Sequence, residues 1–110
     1  MLKYGVVALV CALALAGCGG EAEATDPAKL DDAGNLACQD FAEGYPSAVT
    51  QDARVALANK VAKWAPKSQT NRIADMSQAL GRAADGSPGA WKIAADAFAQ
   101  ACLDAGYKSR

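Results

Sequence analysis

Residues 87–106, SPGAWKIAADAFAQACLDAG, carry the clearest helix pattern in the chain. Ser87 is a favoured N-cap residue, Pro88 is tolerated at the first helical position, and Gly106 suits the left-handed residue that follows a helix. Apolar residues recur here at steps of three and four positions, as on one face of a helix. They are Trp91, Ala94 or Ala95, Phe98, Cys102 and Ala105. The stretch therefore predicts a helix that buries this face.

Three shorter helices are predicted before it, each with residues that favour a helix end. The start and stop signals are Asp26-Pro27, or alternatively Asp31 or Asp32, and Gly44 with Pro46 for the first helix; Thr50 and Pro66 for the second; and Ser68 or Thr70 and Asp85-Gly86 for the third. Each of these helices is short, so each depends on packing against the others.

The composition favours helices over strands. Alanine dominates the sequence, and aromatic residues make up only 6% of it. Four helices with short connections predict an all-α fold, a small antiparallel four-helix bundle in which the first and fourth helices are neighbours. The formal net charge of −1 shows no basic excess, so we expect no nucleic-acid partner.

A different pattern precedes the predicted helices. A short segment with one positive charge, Met1 to Tyr4, is followed by an apolar run from Gly5 to Leu13 of signal-peptide length. Leu15-Ala16-Gly17-Cys18 then closes the apolar region. This arrangement resembles the lipobox signal of bacterial lipoproteins. The alternative is an ordinary signal peptide, since Ala14-Leu15-Ala16 has the small-x-small form that a signal peptidase cuts.

The lipobox resemblance implies a location and an anchor. Residues 1–17 would be a cleaved signal peptide, and Cys18 would carry a thioether-linked diacylglycerol. Residues 18–28 are small, polar and acidic, which predicts a flexible tether, and residues 29–110 would form the helical domain. The protein would then be anchored to the cell membrane through Cys18 and face outside the cytoplasm, at the cell surface or in the periplasm.

Cysteine usage follows from this assignment. Of the four cysteines, Cys11 lies in the apolar leader and Cys18 is the lipidation candidate, so Cys38 and Cys102 remain for the domain. Outside the cytoplasm, two such thiols predict one disulfide that staples the bundle. The alternative is two separate buried thiols.

The residue types argue against an enzyme. The chain contains no histidine, the commonest general base and metal ligand, and no Cys-x-x-Cys motif. Asp31-Asp32, Asp40 and Glu43 are typical of a solvated helix face. We expect no catalytic residue, no metal and no cofactor. Small residues where helices meet, namely Ala58, Ala94, Ala97 and Ala101, predict no sizeable internal cavity.

One surface is a candidate for a partner. Lys60, Lys63 and Lys67 follow one another at helical spacing, Arg72 comes next, and Trp64 lies close to this basic strip. Such a surface could meet lipid headgroups, an anionic polymer or an acidic protein. The alternative is a solvated face beside the acidic first helix, with Trp64 covering the end of the core.

A second resemblance covers most of the domain. The segments 37–41 (ACQDF), 57–61 (LANKV) and 101–106 (ACLDAG) resemble small uncharacterised helical lipoproteins of actinobacteria and their phages or prophages. Our functional hypothesis is a non-enzymatic envelope lipoprotein that binds another envelope protein or a surface polymer; a phage origin would favour superinfection exclusion or immunity. One alternative is a carrier of a small ligand, haem or a lipid, with Tyr45, Met76 and Tyr107 as the remaining candidates for a haem iron. The other is a purely structural surface protein.

Overall fold

The computed structural model describes residues 26–108, and this part of the chain contains four α-helices and no β-strand. The helices are α1 (Asp32–Gly44), α2 (Gln51–Val61), α3 (Ile73–Ala84) and α4 (Pro88–Asp104). Short 3₁₀ helices follow α1 (Tyr45–Ser47) and α2 (Ala65–Lys67). The predicted all-α class is confirmed.

The predicted signal peptide, the lipidation site Cys18 and the tether up to residue 25 lie outside the described residues. Within residues 26–108, no helix combines the length and the apolar character that crossing a membrane requires.

Helix α4 has the ends that its sequence predicts. The Ser87 hydroxyl accepts a hydrogen bond from the Ala90 N–H (3.1 Å), and Pro88 occupies the first turn. Gly106 has a φ of 95°, and the backbone N–H of Tyr107 donates to the carbonyl of Cys102 (2.9 Å). This left-handed cap satisfies carbonyls that the end of a helix would otherwise leave unpaired.

Helix α1 begins at Asp32, with Asp31 as its N-cap. The alternative start at Asp31 is confirmed, and the start at Asp26-Pro27 is wrong. The reason is that the chain before α1 makes other hydrogen bonds: the Lys29 N–H donates to the carbonyl of Asp26 (2.9 Å), and the Leu30 N–H donates to the carbonyl of Ala105 (3.1 Å) at the end of α4.

Helix α2 is capped by Thr50 as predicted, but it ends at Val61, well before Pro66. Pro66 has no N–H, and its ring would clash with the carbonyl of Ala62 in a continued α-helix. The backbone instead changes to 3₁₀-type hydrogen bonds. The N–H groups of Lys63 and Trp64 each donate to the carbonyl three residues earlier (3.2 and 3.1 Å).

Neither Ser68 nor Thr70 caps α3, so this prediction is wrong. Arg72 is the N-cap; its φ of 70° is left-handed, and its side chain makes no capping hydrogen bond. Ser68 and Thr70 are buried, and their hydroxyls bond to the segment before α1. They are therefore engaged in a contact between distant parts of the chain.

The core combines many alanines with a few large side chains. Among the largest fully buried ones are Phe98, Ile73, Leu80 and Val61. Phe41 of α1 lies against Phe98 of α4, with ring centroids 5.0 Å apart. Consecutive helices are in contact, and α1 also contacts α4.

A disulfide joins α1 to α4 inside this core. Cys38 and Cys102 are bonded with their Cα atoms 5.9 Å apart, and both side chains are buried. The predicted disulfide is confirmed, and the alternative of two separate thiols is wrong. The link connects positions that are 64 residues apart in sequence.

Breaking this disulfide should destabilise the domain strongly. A link between residues so far apart removes conformational entropy from the unfolded chain worth about 4 kcal/mol. Urea unfolding with and without reductant should show a loss of about that size. The double variant Cys38→Ala/Cys102→Ala should show a similar loss and no response to reductant. Equal midpoints for oxidised and reduced protein would contradict this account.

Candidate functional site

The predicted partner surface divides into two parts. Lys60 belongs to α2, Lys63 and Trp64 to the turn after it, and Lys67 to the 3₁₀ helix. The three lysine side chains are exposed. No ion pair within the described residues involves them. Because α2 ends at Val61, these residues follow a bent segment rather than one continuous helix.

Trp64 is held in place by contacts with α1 and with the core. Its indole N–H donates to a carboxylate oxygen of Asp40 in α1 (3.1 Å), and the Lys67 ammonium lies 5.7 Å from the centroid of its ring. The side chain is half-buried and packs against the core. Trp64 thus covers part of the core with one side of its ring and meets the Lys67 cation at the surface.

Arg72 belongs to a different contact. Its guanidinium pairs with the carboxylate of Asp104 in α4 (3.3 Å), and both side chains are about half exposed. It also lines a shallow pocket with Pro27, Ala28 and other residues near the start of the described chain. We use "lysine strip" below for Lys60, Lys63 and Lys67 with Trp64, without Arg72.

Asp31 is the centre of a polar cluster that sequence reasoning missed. Its carboxylate accepts hydrogen bonds from the Gly34 N–H (2.8 Å), the Ser68 hydroxyl (2.7 Å) and the Gln69 N–H (2.7 Å). Only the first of these bonds has a local sequence signal, the N-cap pattern. The assignment of Asp31 to a solvated face is therefore wrong, and so is that of Asp40, which binds Trp64.

Thr70 completes the cluster. Its hydroxyl accepts from the Asp31 N–H (3.0 Å) and donates to the carbonyl of Lys29 (2.9 Å). The Asn71 N–H donates to the carbonyl of Pro27 (2.9 Å). We call this set of bonds the Asp31 clamp. It ties the segment before α1 to the loop that follows the lysine strip.

The clamp changes the acidity of Asp31. Partial burial alone would raise the pKa of its carboxyl group. The hydrogen bonds from the Gln69 backbone, the Ser68 hydroxyl and the Gly34 backbone favour the charged form and outweigh burial. The pKa of Asp31 is therefore lowered below its ordinary value.

A second candidate site is an open groove of about 250 Å³ between α1 and the end of α4. Its walls are mostly apolar and include Phe41, Tyr45, Leu103 and Tyr107 as well as the two disulfide cysteines. It lies at the surface, so it differs from the internal cavity that the sequence argued against. Two of the three residues considered for haem iron, Tyr45 and Tyr107, meet here, whereas Met76 lies half-buried on α3.

The sequence carries no local signal for this groove, because its residues come from distant parts of the chain. Among residues 26–108, no cluster of three or more His, Cys, Asp or Glu side chains is arranged to hold a metal ion. Comparisons of the chain with protein-family models, curated proteins and solved structures found no match.

Replacing Asp31 should lower the free energy of unfolding at neutral pH but not in acid. In Asp31→Asn the cap survives, because Asn is as good an N-cap as Asp, but the amide nitrogen cannot accept a hydrogen bond. We expect the free energy of unfolding at neutral pH to fall by about 1–2 kcal/mol. Urea unfolding across a pH series measures it.

The sign of the pH dependence follows from the lowered pKa. The contribution of Asp31 is fully present above its unfolded pKa and is lost as the pH falls through its folded pKa. The parent and Asp31→Asn curves should therefore converge in acid. Asp85→Asn, at an exposed position after α3, should leave the curve unchanged. Parallel curves for the parent and Asp31→Asn would refute the assignment.

Proposed function

We propose that this chain is a lipid-anchored, non-enzymatic envelope protein that faces outside the cytoplasm and binds another envelope protein or a surface polymer. The observation that carries the proposal is the buried Cys38–Cys102 disulfide. Structural disulfides persist in oxidising compartments and are rare in the cytosol. The disulfide therefore supports export, which the signal-like leader also predicts.

The proposed anchor is a lipid on Cys18, followed by the tether. The predicted tether, residues 18–28, is too long at its end, because the carbonyl of Pro27 accepts a hydrogen bond from the Asn71 N–H; the flexible part that we propose therefore ends before Pro27. About ten flexible residues span on the order of 17 Å root mean square, enough to hold the domain near a bilayer. The Asp31 clamp marks where such a tether would join the domain, because it fixes the chain from Pro27 onwards.

We also propose that the four helices form an antiparallel bundle. Short connections from α1 to α2 and from α3 to α4 support this arrangement. The start of α1, the loop before α3 and the end of α4 are all joined at the Asp31 clamp or beside it, through Ser68 and Ala105. In an up-down-up-down order these segments share one end of the bundle.

The proposed role is binding rather than catalysis. The sequence has no histidine, and the two surfaces described above are the kind that contact ligands: exposed lysines beside a tryptophan, and an open apolar groove. If the resemblance to phage and prophage lipoproteins is correct, the concrete role is superinfection exclusion.

Replacing Cys18 by alanine should release the protein from the membrane. Without the thiol, no thioether to diacylglycerol can form. Labelled palmitate should no longer be incorporated, and the protein should move from the membrane fraction to the soluble fraction or accumulate unprocessed. The melting temperature should not change, because Cys18 is not part of the Cys38–Cys102 disulfide.

Cys11→Ala is the matched control. This cysteine lies in the predicted leader, so the variant should still be labelled and anchored. If Cys18→Ala stays labelled and sediments with the membranes, the anchor proposal is wrong.

A second candidate function is the carriage of a lipid acyl chain. The groove beside the disulfide favours it, because its walls are apolar and Leu103 at its edge is 62% exposed. Burying apolar surface of a ligand there would stabilise the complex by roughly 25 cal/mol for each Å² removed from water.

Leu103→Arg should weaken the binding of a fluorescent fatty acid at least about tenfold, a cost of about 1.4 kcal/mol. Ile93→Arg is the control, since Ile93 is also on α4, is 73% exposed and does not line the groove. Fluorescence titration measures both. Equal affinity in the two variants, or no binding by the parent, would count against this function.

A further inference from the structure

We infer that the lysine strip binds a linear polyanion whose charged groups are phosphates, with Trp64 as its rigid centre. This inference rests on the proposed function, since it names the class of surface polymer that the domain would bind. It uses a part of the surface that neither the disulfide nor the Asp31 clamp occupies.

The first support is the charge that is left without a partner. Between Asp52 and Asp75 the sequence contains basic but no acidic residues. Two of the basic side chains are engaged: Arg54 donates to the carbonyls of Ala48 and Val49 (3.4 Å each), and Arg72 pairs with Asp104. The other three are the lysines of the strip, which are exposed and form no ion pair with any described residue.

The second support is the order that Trp64 gives to the strip. Its indole N–H is bound by Asp40, so the ring is held in one orientation against the core. The Lys67 ammonium lies over the ring, which limits the freedom of that side chain before any ligand arrives. A pre-ordered cation loses less entropy on binding than a free one.

Asp40 is a carboxylate that contacts the strip. Its Oδ2 atom accepts the indole N–H, so part of its charge is engaged by Trp64. The negative charge of Asp40 reduces the attraction for an anion without cancelling that of the three lysines.

The direction of the strip fits a polymer better than a membrane. Lys60 lines a shallow groove with Gly44 and Ser47, where α1 ends. Lys67 directly precedes Ser68, which binds Asp31 where α1 begins. The strip therefore runs alongside α1, from near its end towards its start, instead of covering one end of the domain.

The end to which the proposed tether is joined carries side chains of both signs. Asp26, Asp32 and Lys29 are exposed there, and Asp104 is paired with Arg72. These charges offset one another, so they do not favour docking of this end on an anionic bilayer. A soluble polyanion can instead approach the domain from the side and neutralise the lysines one after another.

The probe for this inference is long-chain inorganic polyphosphate, titrated into the purified full-length protein in neutral detergent and followed by calorimetry. Three phosphate contacts to a flexible chain predict that the logarithm of the binding constant falls with the logarithm of salt concentration with a slope of about −2. The triple variant Lys60→Gln/Lys63→Gln/Lys67→Gln should bind at least about tenfold more weakly.

A control variant with the same change in charge separates a site from general attraction. Lys29→Gln/Arg82→Gln/Lys108→Gln also removes three positive charges at exposed positions and leaves the strip intact, so its affinity should stay near that of the parent. Both triple variants should keep the melting temperature of the parent, because all six side chains are exposed.

Two results would overturn the inference. One is an equal loss of affinity in both triple variants, or no polyphosphate binding by the parent. The other is that replacing the three strip lysines changes binding only when the detergent contains phosphatidylglycerol, which would assign the strip to the membrane surface. Binding is measured in solution, so failure of this inference would not contradict the proposed Cys18 anchor. Likewise, a protein that proves not to be anchored would not contradict polyanion binding by the strip.

Discussion

The Cys38–Cys102 disulfide is the constraint on which this small domain depends most. Alanine fills many of the buried positions, and an alanine side chain removes little apolar surface from water. Only a few large side chains, such as Phe98 and Leu80, are fully buried. A domain of this size has a net stability of only about 5–15 kcal/mol at best, so a covalent link worth about 4 kcal/mol is a large share of it. The disulfide also holds the first and last helices of the domain together, although α2 and α3 separate them in the sequence.

The Asp31 clamp complements the disulfide with polar contacts. The disulfide fixes α1 against α4 within the core, whereas the clamp fixes the segment before α1 against the loop before α3. These contacts also explain the unusual start of α3. With Ser68 and Thr70 engaged by the clamp, neither is free to cap the helix, and Arg72 takes a left-handed conformation at its N-terminus. The ion pair of Arg72 with Asp104 then lies beside the same region.

The helix ends that the sequence predicts correctly are those whose partners are close in the chain. Ser87 and Thr50 bond to an N–H three residues ahead, and Gly106 needs only its own backbone freedom. The wrong predictions share a different cause. Ser68 binds Asp31 across 37 positions, and no local pattern distinguishes that partner from a helix N–H. The candidate site behaves in the same way: chain spacing grouped Arg72 with the lysines, but its ion pair is with Asp104, which lies 32 positions away. The groove beside the disulfide also joins α1 to the C-terminal end of α4 and could not be read from either segment alone.

The distribution of charge and apolar surface separates three regions of the molecule by chemistry. The region around the Asp31 clamp is hydrogen-bonded and carries both acidic and basic side chains, the groove beside the disulfide is mostly apolar, and the segment after α2 is basic around Trp64. The three regions depend on different contacts. The clamp depends on the hydroxyls of Ser68 and Thr70, and the groove depends on the packing of α1 beside α4. The strip depends on the Trp64 indole, which is bound by Asp40. In the anchored protein that we propose, the end from which the chain enters would lie near the bilayer, and the sides of the domain would face the surroundings. Under that proposal, the lysines beside Trp64 would remain accessible to a partner, because they lie alongside α1 and not at the anchored end.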